Sequence, residues 1–278
     1  ADPLPLLLAC AMIANAASFV LPISNPANLV LYDGRMPRLG QWLGSFALPS
    51  VAAIVVTFFM LRLVERERVA GECDCDVLRD PLSGGGKLAL AGILLTALVL
   101  LLASGFGMQL GLPTAAAGIA TALGVSLLRR QSPLPLVRDV SWGVLPLVAG
   151  LFVLVEALDR TGVIAIVSDR LREMARDPVQ AAAISGTILA FVSNLMNNLP
   201  AGLIASTAVA QAHPPRIVTD CLLIGVDLGP NLSITGSLAT ILWLQVIRRE
   251  GEDVGFWRFL KVGVVVMPAA LAAALGAR

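Results

Sequence analysis

Charge is scarce in this sequence: 14% of its 278 residues are Asp, Glu, Lys or Arg, against about 25% in an average soluble domain. With 57% apolar residues and a mean hydropathy of +0.83, the shortage excludes an ordinary soluble globule and assigns the chain to a lipid bilayer. Histidine occurs once, as His213 beside Pro214 and Pro215. No Ser/His/Asp, Cys/His or metal-ligand constellation can be assembled, so the expectation is a non-enzyme without a cofactor. An excess of one charge sign is missing too, since the net charge is +1, and nothing suggests a nucleic-acid partner. Four cysteines are too few and too scattered for a disulfide framework. Cys10 and Cys221 lie in apolar runs, while Cys73 and Cys75 sit in a charged loop expected to face the reducing cytoplasm. The opening ADPLPLLLAC has neither a starting Met nor a basic leader, so a cut N-terminus is expected.

Long apolar runs fill most of what remains. At roughly 20 residues per span, segments fall at 4–32, 43–63, 88–104, 112–128, 142–158, 179–212, 217–247 and 255–275. The segments 4–32, 179–212 and 217–247 exceed one plain helix, and Asn, Asp, Pro and Gly interrupt each near its middle. Irregular backbone at membrane depth survives only where it lines a cavity or is buried in protein, so these interruptions predict discontinuous helices around a transport site. Basic loops at 62–87 and 129–140 place both on the cytoplasmic side. The stretch 159–178 then falls outside; its alternation of apolar and charged residues predicts an interfacial arm with snorkelling arginines. Residues 64–87, rich in Gly, Pro and Asp, read as a cytoplasmic linker between an incomplete first repeat (1–63) and a second repeat (88–278).

The repeat is visible when NAASFVLPISNPANLVLY (15–32) is set beside DLGPNLSITGSLATILWL (227–244). Asn15 then matches Asp227, Ser24 matches Gly236, Asn25 matches Ser237 and Asn28 matches Thr240. Each copy runs from an apolar half-helix through a carboxamide or carboxylate and a small, Pro-containing break into a second half-helix. Symmetry of this kind is expected when two inverted repeats build one central site. The second half-helices would present unpaired N–H groups and a positive dipole end. Side chains of Asn15, Ser24, Asn25, Asn28, Thr235, Ser237 and Thr240 add donors and acceptors suited to a small polar solute. A further cluster, SNLMNNLP (193–200), is expected at the tip of a re-entrant hairpin, bringing Ser193, Asn194, Asn197 and Asn198 to the same depth. The expected fold is an all-α integral membrane transporter with inverted repeats, a re-entrant hairpin and broken helices.

These stretches, together with IANAASFVLPISNPANLVLYDGRMPRLGQWLGSFALPS, FVSNLMNNLPAGL and IGVDLGPNLSITGSLATILWL, resemble the arsenite/antimonite efflux permeases, the ArsB family of the ion transporter superfamily. The resemblance runs along essentially the whole chain but covers only the later two-thirds of such a permease, so a preceding scaffold and first hairpin are expected elsewhere. It implies a multi-pass carrier of the bacterial inner membrane that expels arsenite or antimonite, coupled to proton entry and sometimes assisted by a soluble ATPase partner. It also implies an elevator-like motion. Asp227 matches the family's acidic position in the second repeat and becomes the candidate proton carrier, since an ionisable group at membrane depth is costly.

Blander readings exist for each residue. Asp227 could cap a helix, the Ser, Asn and Thr groups could be packing glue, and the hairpin asparagines could satisfy a turn. Cys10 and Cys221 could be soft ligands for a metalloid but read better as small buried residues, Cys73 and Cys75 could chelate one but lack a third ligand, and Glu156 and Asp159 read as snorkelling helix-end charges. Alternatives for the whole are a dicarboxylate or cation/proton carrier of the same superfamily, an inactive membrane subunit, or a water-channel-like pore suggested by Asn25-Pro26-Ala27.

Overall fold

The computed structural model describes residues 2–32, 36–69, 81, 83–139 and 142–278. Among them every regular element is helical. The chain opens with α1 (Leu4–Ala16) and the short α2 (Pro26–Leu31), then α3 (Leu39–Val64) and α4 (Arg66–Val69). Next come α5 (Gly84–Gly105), α6 (Gly111–Arg129), α7 (Leu134–Asp139), α8 (Val144–Arg160) and α9 (Val163–Met174). The remainder is α10 (Pro178–Met196), α11 (Asn198–Ala212), α12 (Arg216–Leu228), α13 (Leu238–Arg249) and α14 (Phe256–Gly276). Five of these, α3, α5, α6, α10 and α14, are long and apolar enough to cross a bilayer. Cys73 and Cys75 lie outside the described residues.

The chain forms two compact units, one of residues 1–36, 41–73 and 151–278 and one of residues 37–40 and 74–150. In the second, α5 and α6 pack as a pair, and the absent side chain of Gly92 leaves room for Thr121. The polar candidates all belong to the first.

The local chemistry of the first unit explains its breaks. After Ala16 the backbone turns through 17–24 until Asn25, in extended conformation, caps α2 by accepting from the Ala27 N–H at 3.0 Å. Pro26 occupies the first helical position, where its missing N–H has no helical partner to lose. Trp42 pins the turn by donating to the Phe19 carbonyl at 3.0 Å, and Phe19, Trp42 and Phe46 are fully buried around it. α12 ends at Leu228 and passes through two short 3-10 turns, Gly229–Leu232 and Ile234–Gly236, before Ser237 caps α13 at the Thr240 N–H, 3.1 Å away. Between α10 and α11 a single residue turns the chain: Asn197 has φ 77° and ψ 154° and caps Leu199 at 3.3 Å.

α10 and α12 touch backbone to backbone. A methyl at Gly225 would strike the Gly186 carbonyl oxygen, one at Gly186 would sit 2.6 Å from the Cys221 carbonyl oxygen, and one at Gly229 would strike Ala190 and Ser193. Small residues allow such approach where lipid provides no hydrophobic drive between helices, and packing takes over. The arm α10 and the start of the break after α12 therefore pack with almost no side chain between their backbones. α9 lies along α11 with Ile164 fully buried and Ser168 bonded to Gln211 at 2.9 Å, while Arg170 and Arg172 pair with Glu173 and Asp169 on its exposed side.

Candidate functional site: two crossed hydrogen bonds between broken helices

The segments 15–28 and 227–240 meet side by side, and their polar groups pair crosswise. Asn25, at the start of α2, donates from Nδ2 to Asp227 Oδ1 at 2.8 Å near the end of α12. Ser237, at the start of α13, donates to Asn15 Oδ1 at 3.4 Å near the end of α1. In both bonds the cap of one second half-helix reaches the polar residue ending the other's first half-helix. Each cap also accepts from its own helix, at the N–H of Ala27 and of Thr240.

The two bonds differ in what surrounds them. Asn15 is saturated: its Nδ2 donates to Asn231 Oδ1 at 3.0 Å and to Thr240 Oγ1 at 3.2 Å, and its carbonyl accepts from Ser18 at 2.7 Å. Asn231 in turn donates to the Met12 carbonyl at 3.0 Å. Asp227 is only 1% exposed, and its Oδ2 has no partner among the described residues. Asn28 is likewise fully buried; its Nδ2 donates to the Ser18 and Leu21 carbonyls, at 3.0 and 3.3 Å, while Oδ1 is unpartnered. An orphaned buried acceptor costs about 1–3 kcal/mol, more when charged. Each marks a place where, among the described residues, a proton or a ligand O–H would be favoured.

The hairpin tip closes on the same broken segment. Asn194 donates to the Ala190 carbonyl at 2.7 Å and accepts from Ser233 at 3.0 Å; Asn197 donates to the Thr235 carbonyl at 3.0 Å. Ser193 bonds back to the Ala190 carbonyl at 2.9 Å, and Asn198 is buried in the first turn of α11. Thr235 supplies its carbonyl while its side chain is exposed, and Ser24 is exposed as well. Of the candidates from the sequence, the structure bonds Asn15 with Ser237 and Thr240 and Asn25 with Asp227, sets Asn28 on the Ser18 and Leu21 carbonyls, and leaves Ser24 and Thr235 exposed. The sequence reading passes over Asn231 and Ser233. Asn231 aligns with Phe19 in the repeat, so no matching polar residue draws attention to it.

The remaining candidates sit elsewhere. Cys221 is buried and Cys10 exposed. His213 is an exposed residue at φ 50° ending α11. Among the described residues no cluster of three His, Cys, Asp or Glu could hold a metal. Asp159 is bonded by Gln211 Nε2 at 3.2 Å rather than standing alone at a helix end, and Glu156 pairs with Arg160 at 3.0 Å. A buried charge that the sequence reading overlooks is Asp220, held by Tyr32, by Arg278 at 2.6 Å and by Arg216 at 3.6 Å.

Comparison with known proteins gives this arrangement a lineage. The arsenical pump membrane protein of Escherichia coli K12 is 26% identical over 273 residues, covering 95% of this chain and 64% of its own length. That of Yersinia enterocolitica is 29% identical over 275 residues, with the same two coverages of 95% and 64%. An uncharacterized transporter of Synechocystis sp. is 24% identical over 307 residues, covering 98% of this chain and 67% of its own length. The chain thus spans about two-thirds (64%) of the curated arsenical pumps it matches. The family model described as citrate transporter matches residues 1–232, and the chain belongs to that family of membrane transporters, resembling its arsenical pump relatives along nearly its whole length.

Proposed function

We propose that this chain forms the greater part of an efflux carrier for arsenite and antimonite, with protons as the counter-ion. The observation that carries the reading is Asp227: a carboxyl group buried at the break of α12, bonded through one oxygen to Asn25 and, among the described residues, without a partner at the other. A group so placed can take and release a proton while its partner Asn25 stays on the opposite broken helix. Trihydroxyarsenic is uncharged at neutral pH and offers three O–H donors, which suits orphaned acceptors at Asp227 Oδ2 and Asn28 Oδ1. The names of the relatives support the substrate class.

The crossed bonds Asn25–Asp227 and Ser237–Asn15 support inverted repeats, with 179–212 as a re-entrant hairpin and the linker 64–87 joining the halves. The glycine contacts between α10 and α12 support their moving together in an elevator-like step. In this reading the carrier lies in the bacterial inner membrane, is completed by further scaffold and hairpin segments, and can accept a soluble ATPase partner.

A second reading is transport of a tricarboxylate or dicarboxylate, favoured by the name of the matching family. The site chemistry weighs against it, because the gathered polar side chains are neutral or acidic and, among the described residues, none of them is bonded by an Arg or Lys. A multiply charged anion beside Asp227 would need cations that these residues do not supply. The deciding experiment is uptake of arsenite, antimonite and citrate into inverted vesicles carrying the full-length protein, with and without a pH gradient. Gradient-driven arsenite or antimonite uptake that citrate does not inhibit supports the first reading, and gradient-driven citrate uptake alone replaces it with the second.

A further inference from the structure

The first unit holds a second feature that neither the crossed bonds nor the hairpin tip uses. An open cavity of about 450 Å3 is lined by Val30 of α2, Glu156 and Asp159 of α8, and Leu203, Ser206 and Thr207 of α11. Ser206 is 8% exposed, lines the cavity, and its hydroxyl makes no hydrogen bond among the described residues. Its neighbour Thr207 instead bonds the Leu203 carbonyl at 3.0 Å, as Thr187 and Ser168 bond the carbonyls four residues before them. The Ser206 hydroxyl is not one of the fully enclosed unpartnered atoms, so it opens onto the cavity, where water or a solute can satisfy it.

The rim of the cavity is acidic and held in place. Asp159 Oδ1 accepts from Gln211 Nε2 at 3.2 Å; Gln211 accepts from Ser168 at 2.9 Å, and its carbonyl accepts from Arg172 at 2.7 Å. Glu156 is exposed and paired with Arg160, also exposed, at 3.0 Å. The floor is a contact of small groups. A methyl at Gly202 would lie 3.8 Å from Val30 Cγ1 and 3.9 Å from both the Ala27 carbonyl oxygen and Val226 Cγ1. Val226 directly precedes Asp227, and Ala27 is the residue that Asn25 caps. Ser206 stands eight residues along α11 from Asn198, about 12 Å at 1.5 Å per residue. The Gly202 contact thus links the α11 wall of the cavity to Ala27 and Val226, the neighbours of the Asn25 cap and of Asp227.

We infer that this cavity is the water-filled outer vestibule of the exchange site, an acid-rimmed passage that admits cations and neutral solutes and is separated from the Asn25–Asp227 pair by the Gly202–Val30–Val226 contact. The inference rests on the proposed carrier function for its role, but its wetness and charge preference are properties of the protein alone. Arg160 offsets Glu156, while Asp159, bonded by the neutral Gln211, leaves the rim net negative and favours cations, protons included, over anions.

The test is thiol labelling of the full-length carrier with all native cysteines replaced and Ser206→Cys introduced, using membrane-impermeant methanethiosulfonates of either charge applied from each side. Modification from the outer face at least tenfold faster than for Ala205→Cys, a buried neighbour on α11, is expected, with the cationic reagent several-fold faster than the anionic one. Glu156→Gln with Asp159→Asn should erase that charge preference. Thr207→Cys reads the same surface if Ser206→Cys does not insert. No reaction at either position, reaction only with a lipid-soluble maleimide, or reaction only from the cytoplasmic face overturns the vestibule. Filling the floor with Gly202→Leu should leave Ser206→Cys labelling intact and slow exchange at least tenfold; unchanged exchange removes the passage. Labelling does not depend on what the carrier moves, so a negative arsenite result contradicts the proposed function while leaving the vestibule to stand or fall on its own chemistry.

Discussion

Asn25 and Asp227, 202 positions apart, share a 2.8 Å hydrogen bond that joins the start of one half-helix to the end of another. Its counterpart joins Ser237 to Asn15 at 3.4 Å, across 222 positions. The two bonds make the broken segments each other's partners, and the expected consequences are energetic as well as functional.

Coupling within each bond should exceed coupling between them. Double-mutant cycles on Asn25→Ala with Asp227→Ala, and on Ser237→Ala with Asn15→Ala, should each give an interaction energy of about 0.5–3 kcal/mol. Asn25→Ala with Ser237→Ala should be additive to within about 0.5 kcal/mol, apart from the loss of about 1 kcal/mol at each cap. Thermal unfolding of the purified protein in detergent measures all three; equal coupling in every pair would contradict the crossed arrangement.

Asn231→Leu leaves the Met12 carbonyl and the Asn15 Nδ2 short of partners. At about 1–3 kcal/mol for a buried group left unsatisfied, the variant should unfold at a lower temperature than Ser24→Ala, whose side chain is exposed. Equal melting temperatures would remove Asn231 from the network.

Gly225→Ala forces a methyl against the α10 backbone at Gly186 and Ala190, whereas Gly44 in α3 has nothing within 4 Å of the same position. Overpacking of this kind costs about 1–3 kcal/mol, so Gly225→Ala should be clearly destabilised and Gly44→Ala should not. The same melts read the difference.

Asp220 is buried with Tyr32, Arg216 and Arg278 around it. Taking one partner from a buried charged cluster costs about 3–5 kcal/mol, and Asp220→Asn should therefore lose stability without shifting the preference among substrates. A changed substrate preference with unchanged melting would place Asp220 in the transport site instead.

What the sequence makes legible here is chemistry rather than partnership. Pro26, Asn25 and Ser237 advertise the breaks because proline at a first helical position and a polar cap just before it have local causes. Asp227 advertises itself because carboxylates are rare inside apolar runs of this kind. Linear alignment sets Asn15 against Asp227 and Asn25 against Ser237, yet the bonds run across that register, from Asn25 to Asp227 and from Ser237 to Asn15, a partnership that alignment alone does not encode. Ser24 and Thr235 carry the right chemistry in the right stretch but project outward, which spacing inside an irregular segment cannot reveal. The glycine contacts of α10 with α12 join Gly186 to Gly225, 39 positions later, and leave no local signature beyond the presence of small residues.

The most direct test of the central claim is arsenite uptake by inverted vesicles containing the full-length carrier or its Asp227→Asn variant, driven by an imposed pH gradient. Asn at 227 can still accept from Asn25, so the fold should persist and the melting temperature should stay at or above the original. Gradient-stimulated uptake is expected to vanish in the variant. Wild-type stimulation by the pH gradient in a well-folded Asp227→Asn protein would contradict the account.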